Sequence, residues 1–300
     1  MPRTVLVVNP RAGRGRVGRE LPRLVQVLTA AGTEPTVLAT EFPGHAVELA
    51  RRASQGGADT VVAVGGDGTV NEVLNGLIED DRPVGAAVLG IVSAGSGADF
   101  ARTFSLPKHA NGGVRGIVGE AIPVDVGRLT CDTAAGPVIR YFANIAEAGM
   151  GAATVAAANR LPRRLGKSRY LVAFWPTLAR FHPVEVTVTV DDQVYTGRAH
   201  NALIANGRFF GGGMHISPKS DPADGRADLQ VNIGPKRQAF TLIPKFFKGT
   251  HLPDPRIVEM SGRAGSIVTA HPMPVEADGE VIGTTPLSFE ILSGLLRMRA

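Results

Sequence analysis

The feature that most limits how this chain can fold is a set of short apolar runs, each leading into a helical pattern. Val5-Leu6-Val7-Val8, Val61-Val62-Ala63-Val64 and the stretch Ala87 to Val92 contain no polar side chain to turn toward solvent. Strands of that kind need cover on both faces, which a parallel sheet flanked by helices provides. The pattern predicts strands over Thr4 to Val8, Pro35 to Ala39, Thr60 to Val64 and Ala87 to Val92. Helices are expected over Arg19 to Ala31, His45 to Ser54 and Val70 to Ile78, with a short one at Asp99 to Thr103. Leu21, Leu24, Val25 and Leu28 then share one helix face.

Beyond Pro123 the rhythm changes to strand and turn. Runs such as Val138 to Ile145, Val184 to Val190, Ala199 to Ala205, Ala227 to Asn232 and Val275 to Ala277 read as strands. Asp191-Asp192, Asn206-Gly207 and Asp224-Gly225 supply turn signals between them. Helical pieces interrupt near Gly151 to Asn159 and Gln238 to Phe247. The expected fold is an α/β domain with a parallel sheet over residues 1–123, followed by an antiparallel β-sandwich domain over 124–300. The extreme C-terminus is free to pack back on the first domain. Two domains also leave a cleft between them as the expected ligand site.

Composition removes several functions. Aromatic residues make up only 5% of the chain, too few for stacking platforms, and the net charge is a modest +5. Nucleic acid is therefore not an expected partner. Cys131 is the single cysteine, which excludes a disulfide framework and a cysteine zinc site. No apolar run approaches the roughly 18 residues that cross a bilayer. The N-terminal apolar run is too short for a signal peptide. The expectation is a cytoplasmic protein, with peripheral contact at the inner face of the membrane left open.

Three loops leave the carboxyl ends of the predicted parallel strands, the edge where open α/β sheets bind ligands. The first is Asn9-Pro10-Arg11-Ala12-Gly13-Arg14-Gly15-Arg16, whose small and basic residues suit an anion or simply a basic surface. The second, Gly65-Gly66-Asp67-Gly68-Thr69, opens a helix whose positive end faces the loop. Asp67 fits a phosphate loop when a hydrated Mg²⁺ accompanies the phosphates, or else caps a tight turn. The third, Gly95-Ser96-Gly97-Ala98-Asp99-Phe100-Ala101-Arg102, repeats the same logic.

In that order, with Asn71-Glu72-Val73 after the second loop, these segments resemble the diacylglycerol kinase catalytic family, which includes sphingosine and ceramide kinases. Asn206-Gly207 through Gly213, Ser217-Pro218, Asp221 to Leu229 and Asp278-Gly279-Glu280 follow in family order. The resemblance implies an NAD kinase-like first domain, a lipid-substrate second domain, and use of ATP with Mg²⁺. It implies nucleotide contacts from Asn9, Gly13, Thr40, Gly65, Gly66, Asp67, Gly68, Thr69, Asn71, Gly95, Ser96, Gly97 and Asp99. Where the family's third loop reads Gly-Thr-Gly-Asn-Asp-Phe-Ala-Arg, this chain has Ser96 for Thr and Ala98 for Asn.

Asp278 and Glu280 lie in or beside a predicted strand, where a period of two would put both carboxylates on one face. Phosphoryl transfer to an alcohol needs a group to accept the hydroxyl proton, which a positioned carboxylate can do. Asp-Gly is equally a hairpin turn pair. By resemblance these two are the catalytic acids, with Glu280 the first choice as base. The acidic segment around Asp221, Asp224 and Arg226 reads as a plain turn by spacing. The resemblance implies a structural Mg²⁺ there, held by the Asp224 side chain and the carbonyls of Asp221 and Arg226.

Arg160, Arg163, Arg164, Lys167 and Arg169 beside Tyr170 to Trp175 suit an anionic lipid surface or a solvated helix end. The expected partner is a lipid substrate at the membrane surface, with a homodimer left open. A lipid kinase acting on diacylglycerol or a related lipid is the leading reading. An NAD kinase-like enzyme and a non-catalytic lipid- or nucleotide-binding regulator are the alternatives.

Overall fold

The computed structural model describes residues 3–93, 98–106, 115–162, 165–166 and 168–300. Gly95, Ser96, Gly97, Arg163, Arg164 and Lys167 lie outside the described residues. The chain divides into two compact units, residues 1–125 with 294–300, and residues 126–293.

The first unit alternates strand and helix: β1 (Thr4–Val8), α1 (Ala12–Ala30), β2 (Thr36–Ala39), α2 (His45–Gln55), β3 (Thr60–Gly65) and α3 (Asp67–Gly76). A small hairpin, β4 (Ile78–Glu79) and β5 (Arg82–Pro83), precedes β6 (Val88–Ser93), α4 (Asp99–Thr103) and α5 (Arg115–Val118). The strands pair in parallel in the order β6-β3-β1-β2. Every residue of β1, β3 and β6 is buried, as strands apolar on both faces require. On one face Leu6, Val64 and Val92 pack with Leu24 and Leu28 of α1.

Helix α1 opens at Ala12, seven residues before the periodicity indicates, but Gly13, Arg14 and Gly15 all take left-handed conformations that break this first turn from the regular helix after it. Helix α3 begins at Asp67 rather than Val70: extended Gly66 caps it, and Asp67 places a negative charge in its first turn.

The second unit is antiparallel. Its elements are β7 (Ala121–Thr133), β8 (Gly136–Phe142), β9 (Ile145–Gly149), α6 (Met150–Asn159), α7 (Ser168–Arg180), β10 (Val184–Val190), β11 (Gln193–Ala199) and β12 (Asn201–Ala205). They continue as β13 (Ala227–Asn232), α8 (Ala239–Lys248), β14 (Ile257–Gly262), β15 (Ala264–Thr269), β16 (Pro274–Ala277) and the long β17 (Glu280–Arg299). Strands run in the order β14-β13-β12-β9-β16-β17, while β10 joins β11 to β15. Ala146, Ala148, Val188, Ile204, Val275 and Ile291 share the main core. The last residues of β17 belong to the first unit, where Met298 pairs in parallel with Leu89 of β6.

Two sequence-based strands are broken in the structure. Val138 to Ile145 divides at Ala143-Asn144, because the Asp278 carboxylate takes the N–H groups of Ala143, Asn144 and Ile145. Ala199 to Ala205 divides at His200, whose carbonyl accepts the N–H of Met150 as α6 begins.

Candidate functional site

In the first unit the order β6-β3-β1-β2 reverses direction between β1 and β3, the crevice where such sheets take ligands. Two of the expected loops flank it. Asn9 directly follows β1, and its Nδ2 donates to Thr69 Oγ1 at 3.4 Å across the gap. Asn9 Oδ1 also accepts the N–H of Arg11, setting the path of the basic loop. Gly65 is glycine for a measurable reason: a Cβ there would lie 2.4 Å from Thr69 Oγ1. A Cβ on Gly68 would meet nothing within 4 Å, so the helix entrance is open on that side. These donors, an open helix N-terminus and a close-packed glycine suit a polyphosphate.

Asp67 has a different local role from the one its loop suggests. Its two carboxylate oxygens accept the N–H groups of Ala98, at 3.0 Å, and Asp99, at 2.9 Å, so it braces the second loop against the third. Burial raises its pKa, opposed by those backbone hydrogen bonds. Asp99, also buried, pairs with Arg102 at 2.8 Å. Both carboxylates expected to organise metal-bound water therefore already have protein partners.

Ala98 sits at a φ of 58°, a left-handed conformation that Asn adopts more readily than Ala. Asn71 is buried, and its Oδ1 accepts from Asn75 one turn along α3. Thr40 follows β2, with its N–H bonded to the Val8 carbonyl, and Gly13 lies in the left-handed turn of α1. Gly95, Ser96 and Gly97 fall outside the described residues.

In the second unit, Asp278 and Glu280 do not share a strand face. Asp278 and Gly279 have φ values of 48° and 88° and form the two-residue turn between β16 and β17, with Ala277 paired to Glu280. Asp and Gly tolerate that conformation, and the turn interrupts the period of two. The turn pins Asp278 inward. Its Oδ2 accepts from Ala143 at 2.8 Å, and its Oδ1 accepts from Asn144 and Ile145 at 3.0 Å each. Glu280 is half-buried, and its side chain makes no hydrogen bond or ion pair with another described residue.

Asn206-Gly207 converges on the same segment. The Asn206 side chain donates to the Ala143 carbonyl at 2.7 Å, and the N–H groups of Asn206 and Gly207 reach the Asn144 carbonyl. A Cβ on Gly207 would lie 1.9 Å from Asn144 Oδ1.

Around Asp221, Asp224 and Arg226 the chain forms a turn: Asp224 Oδ1 accepts the Arg226 N–H, and the Asp221 carbonyl accepts the Asp224 N–H. Among the described residues, no group of three or more His, Cys, Asp or Glu side chains is arranged to hold a metal ion. A single carboxylate with two carbonyls on a bent loop still offers hard oxygen donors of the kind Mg²⁺ takes.

Sequence reasoning missed two residues of this unit, Glu147 and Glu276. Both are buried and lie directly opposite one another on β9 and β16. Their signal was a lone acid inside an otherwise apolar run, Ile145-Ala146-Glu147-Ala148 and Val275-Glu276-Ala277. Buried acids of this kind are rare without a partner.

Comparison with known proteins agrees with this architecture. A model described as the diacylglycerol kinase catalytic domain matches residues 3–129. A model described as the YegS C-terminal NAD kinase beta sandwich-like domain matches 144–300, more than half of the chain. The chain belongs to the family of that C-terminal domain and carries the diacylglycerol kinase catalytic domain ahead of it.

A diacylglycerol kinase of Bacillus subtilis is 29% identical over 297 residues, covering 96% of this chain and 93% of its own. A crystal structure of a diacylglycerol kinase from Bacillus anthracis superposes with a TM-score of 0.75 at 24% identity, over 99% of this chain and 96% of that one. Yeast NADH kinase, complexed with NADH, shares the fold at 10% identity with a TM-score of 0.53, over 99% and 80% of the two chains. Membership in a kinase family implies use of ATP. No helix among the described residues is long and apolar enough to cross a membrane.

Proposed function

We propose that this protein is an ATP- and Mg²⁺-dependent lipid kinase that phosphorylates a hydroxyl of diacylglycerol or a related lipid alcohol. The observation that carries the reading is Glu280, a half-buried carboxylate without a partner among the described residues, at the end of a turn that Asp278 clamps with three hydrogen bonds. A carboxylate held still and left unpaired is suited to accept the proton of an attacking hydroxyl. Asp278, with its oxygens committed to backbone N–H groups, positions Glu280 and is not the base.

In the first unit, Asn9, Thr69 and the open side of Gly68 line the entrance of α3 and would hold the phosphates. When bound, ATP supplies the phosphoryl group and Mg²⁺ neutralises its charge. Asp67 maintains the loops that receive them. A structural cation would rest on Asp224 with the carbonyls of Asp221 and Arg226.

A membrane-surface substrate and peripheral attachment fit the second unit. Helices α7 and α8 expose Leu171, Val172, Trp175, Phe240 and Phe247, and Trp175 stacks on Phe240 at 4.9 Å. The same helices carry Arg169, Arg180, Lys245 and Lys248 and no acid. Exposed aromatics rimmed by cations match an anionic lipid surface.

The test is labelled-phosphate transfer from ATP to diacylglycerol, sphingosine, ceramide, phosphatidylglycerol and NAD. Transfer to a lipid supports the reading, transfer to NAD replaces it with a nucleotide kinase, and transfer to none favours a binding role.

A further inference from the structure

Glu147 on β9 and Glu276 on β16 are cross-strand partners in antiparallel register, 3% and 0% exposed. Their neighbours Ala146, Ala148, Val275 and Ala277 enter the main core, so the two acids turn to the opposite face of the sheet. There Ile145 and Leu203 are buried alongside, and α6 packs against both strands. Glu147 fills space beside the first turn of α6, where a Cβ on Gly151 would lie 1.9 Å from its Oε1.

Each of the four carboxyl oxygens can be accounted for. Glu147 Oε2 accepts from Asn201 Nδ2 at 2.8 Å, and Glu276 Oε2 accepts the N–H of Gly279 at 2.7 Å. Glu147 Oε1 and Glu276 Oε1 are buried and have no donor among the described residues. One proton held between these directly opposed residues would satisfy both orphaned acceptors. The Asn201 amide and the positive end of α6 favour the charge on Glu147, which leaves the proton on Glu276.

We propose that Glu147 and Glu276 share one proton, and that this pair positions the Asp278–Gly279 turn and, through it, Glu280. The proposal rests on the reading of Glu280 as the group that takes the hydroxyl proton.

The connections close on themselves. Glu276 holds the turn through Gly279, the turn's Asp278 holds residues 143–145, and those residues lead into β9 and Glu147. Burial, and then the charge of Glu147, keep Glu276 well above the usual carboxylate range; burial raises Glu147 to about 7 against its Asn201 hydrogen bond. Asp278 and Glu280 add further negative charge against Glu276. Strand β12, helix α6 and residues 281–284 of β17 contribute no charged side chain. Arg140 on β8 makes no ion pair with either acid among the described residues. Release of the shared proton to solvent would leave two buried charges face to face, and their repulsion would drive Glu276 away from Glu147 and shift the turn that Glu276 holds through Gly279.

The experiment is infrared spectroscopy of the folded protein at pH 8, with lipid-kinase assays from pH 6 to 10. The wild type is expected to show a protonated-carboxyl C=O band that disappears on further alkalinisation, with phosphoryl transfer falling over the same range. Glu276→Gln should remove the band and flatten that alkaline fall. Glu276→Leu should lower kcat by about 10-fold or more with little change in the KM for ATP.

A folded wild type without the band at pH 8 overturns the proposal, and that measurement needs no variant. An unaltered alkaline limb in folded Glu276→Gln overturns it as well. Normal transfer by Glu280→Gln would remove the Glu280 reading and the positioning role with it, but would leave the band in place. The two failures are thus read separately.

Discussion

The carboxylate of Asp67 accepts the backbone N–H of Asp99 at 2.9 Å, so two glycine loops 32 residues apart are tied by an acid that need not touch the ligand. Asp67→Asn keeps the shape but offers one acceptor and one donor to two N–H groups. A loss of about 1–3 kcal/mol of stability is expected from the broken pair. Calorimetry with ATP should show weaker binding in the same variant. A folded Asp67→Asn with wild-type melting and affinity would contradict the bracing role.

Gly65 and Gly68 should respond in opposite ways to alanine. At Gly65 the new methyl meets Thr69, and overpacking of this kind costs about 1–3 kcal/mol. At Gly68 the methyl meets open space inside a helix, which should raise stability by about 0.5–1 kcal/mol. ATP affinity should nevertheless fall in Gly68→Ala, because the methyl occupies the open side of the helix entrance. Unchanged affinity there would move the phosphates elsewhere.

The two acids of the β16–β17 turn should also separate. Asp278→Asn is expected to lower the melting temperature, since several N–H groups lose an ionised acceptor. Glu280→Gln should melt as the wild type does but transfer phosphate about 10²–10⁴ times more slowly. Normal rates in Glu280→Gln would leave the turn a structural feature only.

The contribution of Glu147 to stability should fall as pH rises across the carboxyl range. Glu147 has its folded pKa raised to about 7 from an ordinary 4.5. Its stabilising contribution is complete below about 4.5 and is lost as pH rises through about 7. Burial holds His200, His215 and His251 below the usual imidazole range, so they act in the opposite sense over this window, and the test is a difference. In thermal melts between pH 4.5 and 8, Glu147→Gln should gain stability relative to the wild type as pH rises. Parallel pH profiles in the two would remove Glu147 as a contributor.

Trp175→Ala with Phe240→Ala should weaken flotation with anionic vesicles, and Lys245→Gln with Lys248→Gln should weaken it in a salt-sensitive way. Equal binding by all forms would return α7 and α8 to ordinary solvent exposure.

Much of the first unit was legible because buried parallel strands leave an uninterrupted apolar record, as β3 does. Gly65 was legible as part of a phosphate-type loop, but its close packing on Thr69 was not. The second unit hid more. One dipeptide, Asp278-Gly279, supports both a strand reading and a turn reading, and only the positive φ of both residues decides between them. Asp278 and residues 143–145 meet across more than 130 positions, a distance no local pattern spans. Glu147 and Glu276 were visible only as acids in apolar runs, since strand pairing is not written in either segment. Helix α7 was obscured by the basic residues before it and by Pro176 within it.

The return of residues 294–300 to the first unit bears on how the polypeptide reaches its native form. These residues follow the whole second unit in sequence, yet one of them pairs with β6, laid down some two hundred positions earlier. During synthesis, the N-terminal portion must wait without its final strand segment until the C-terminal portion has left the ribosome. Contacts this distant in sequence slow folding and prolong exposure of an unfinished sheet edge. The first unit to be made is therefore the last to be completed.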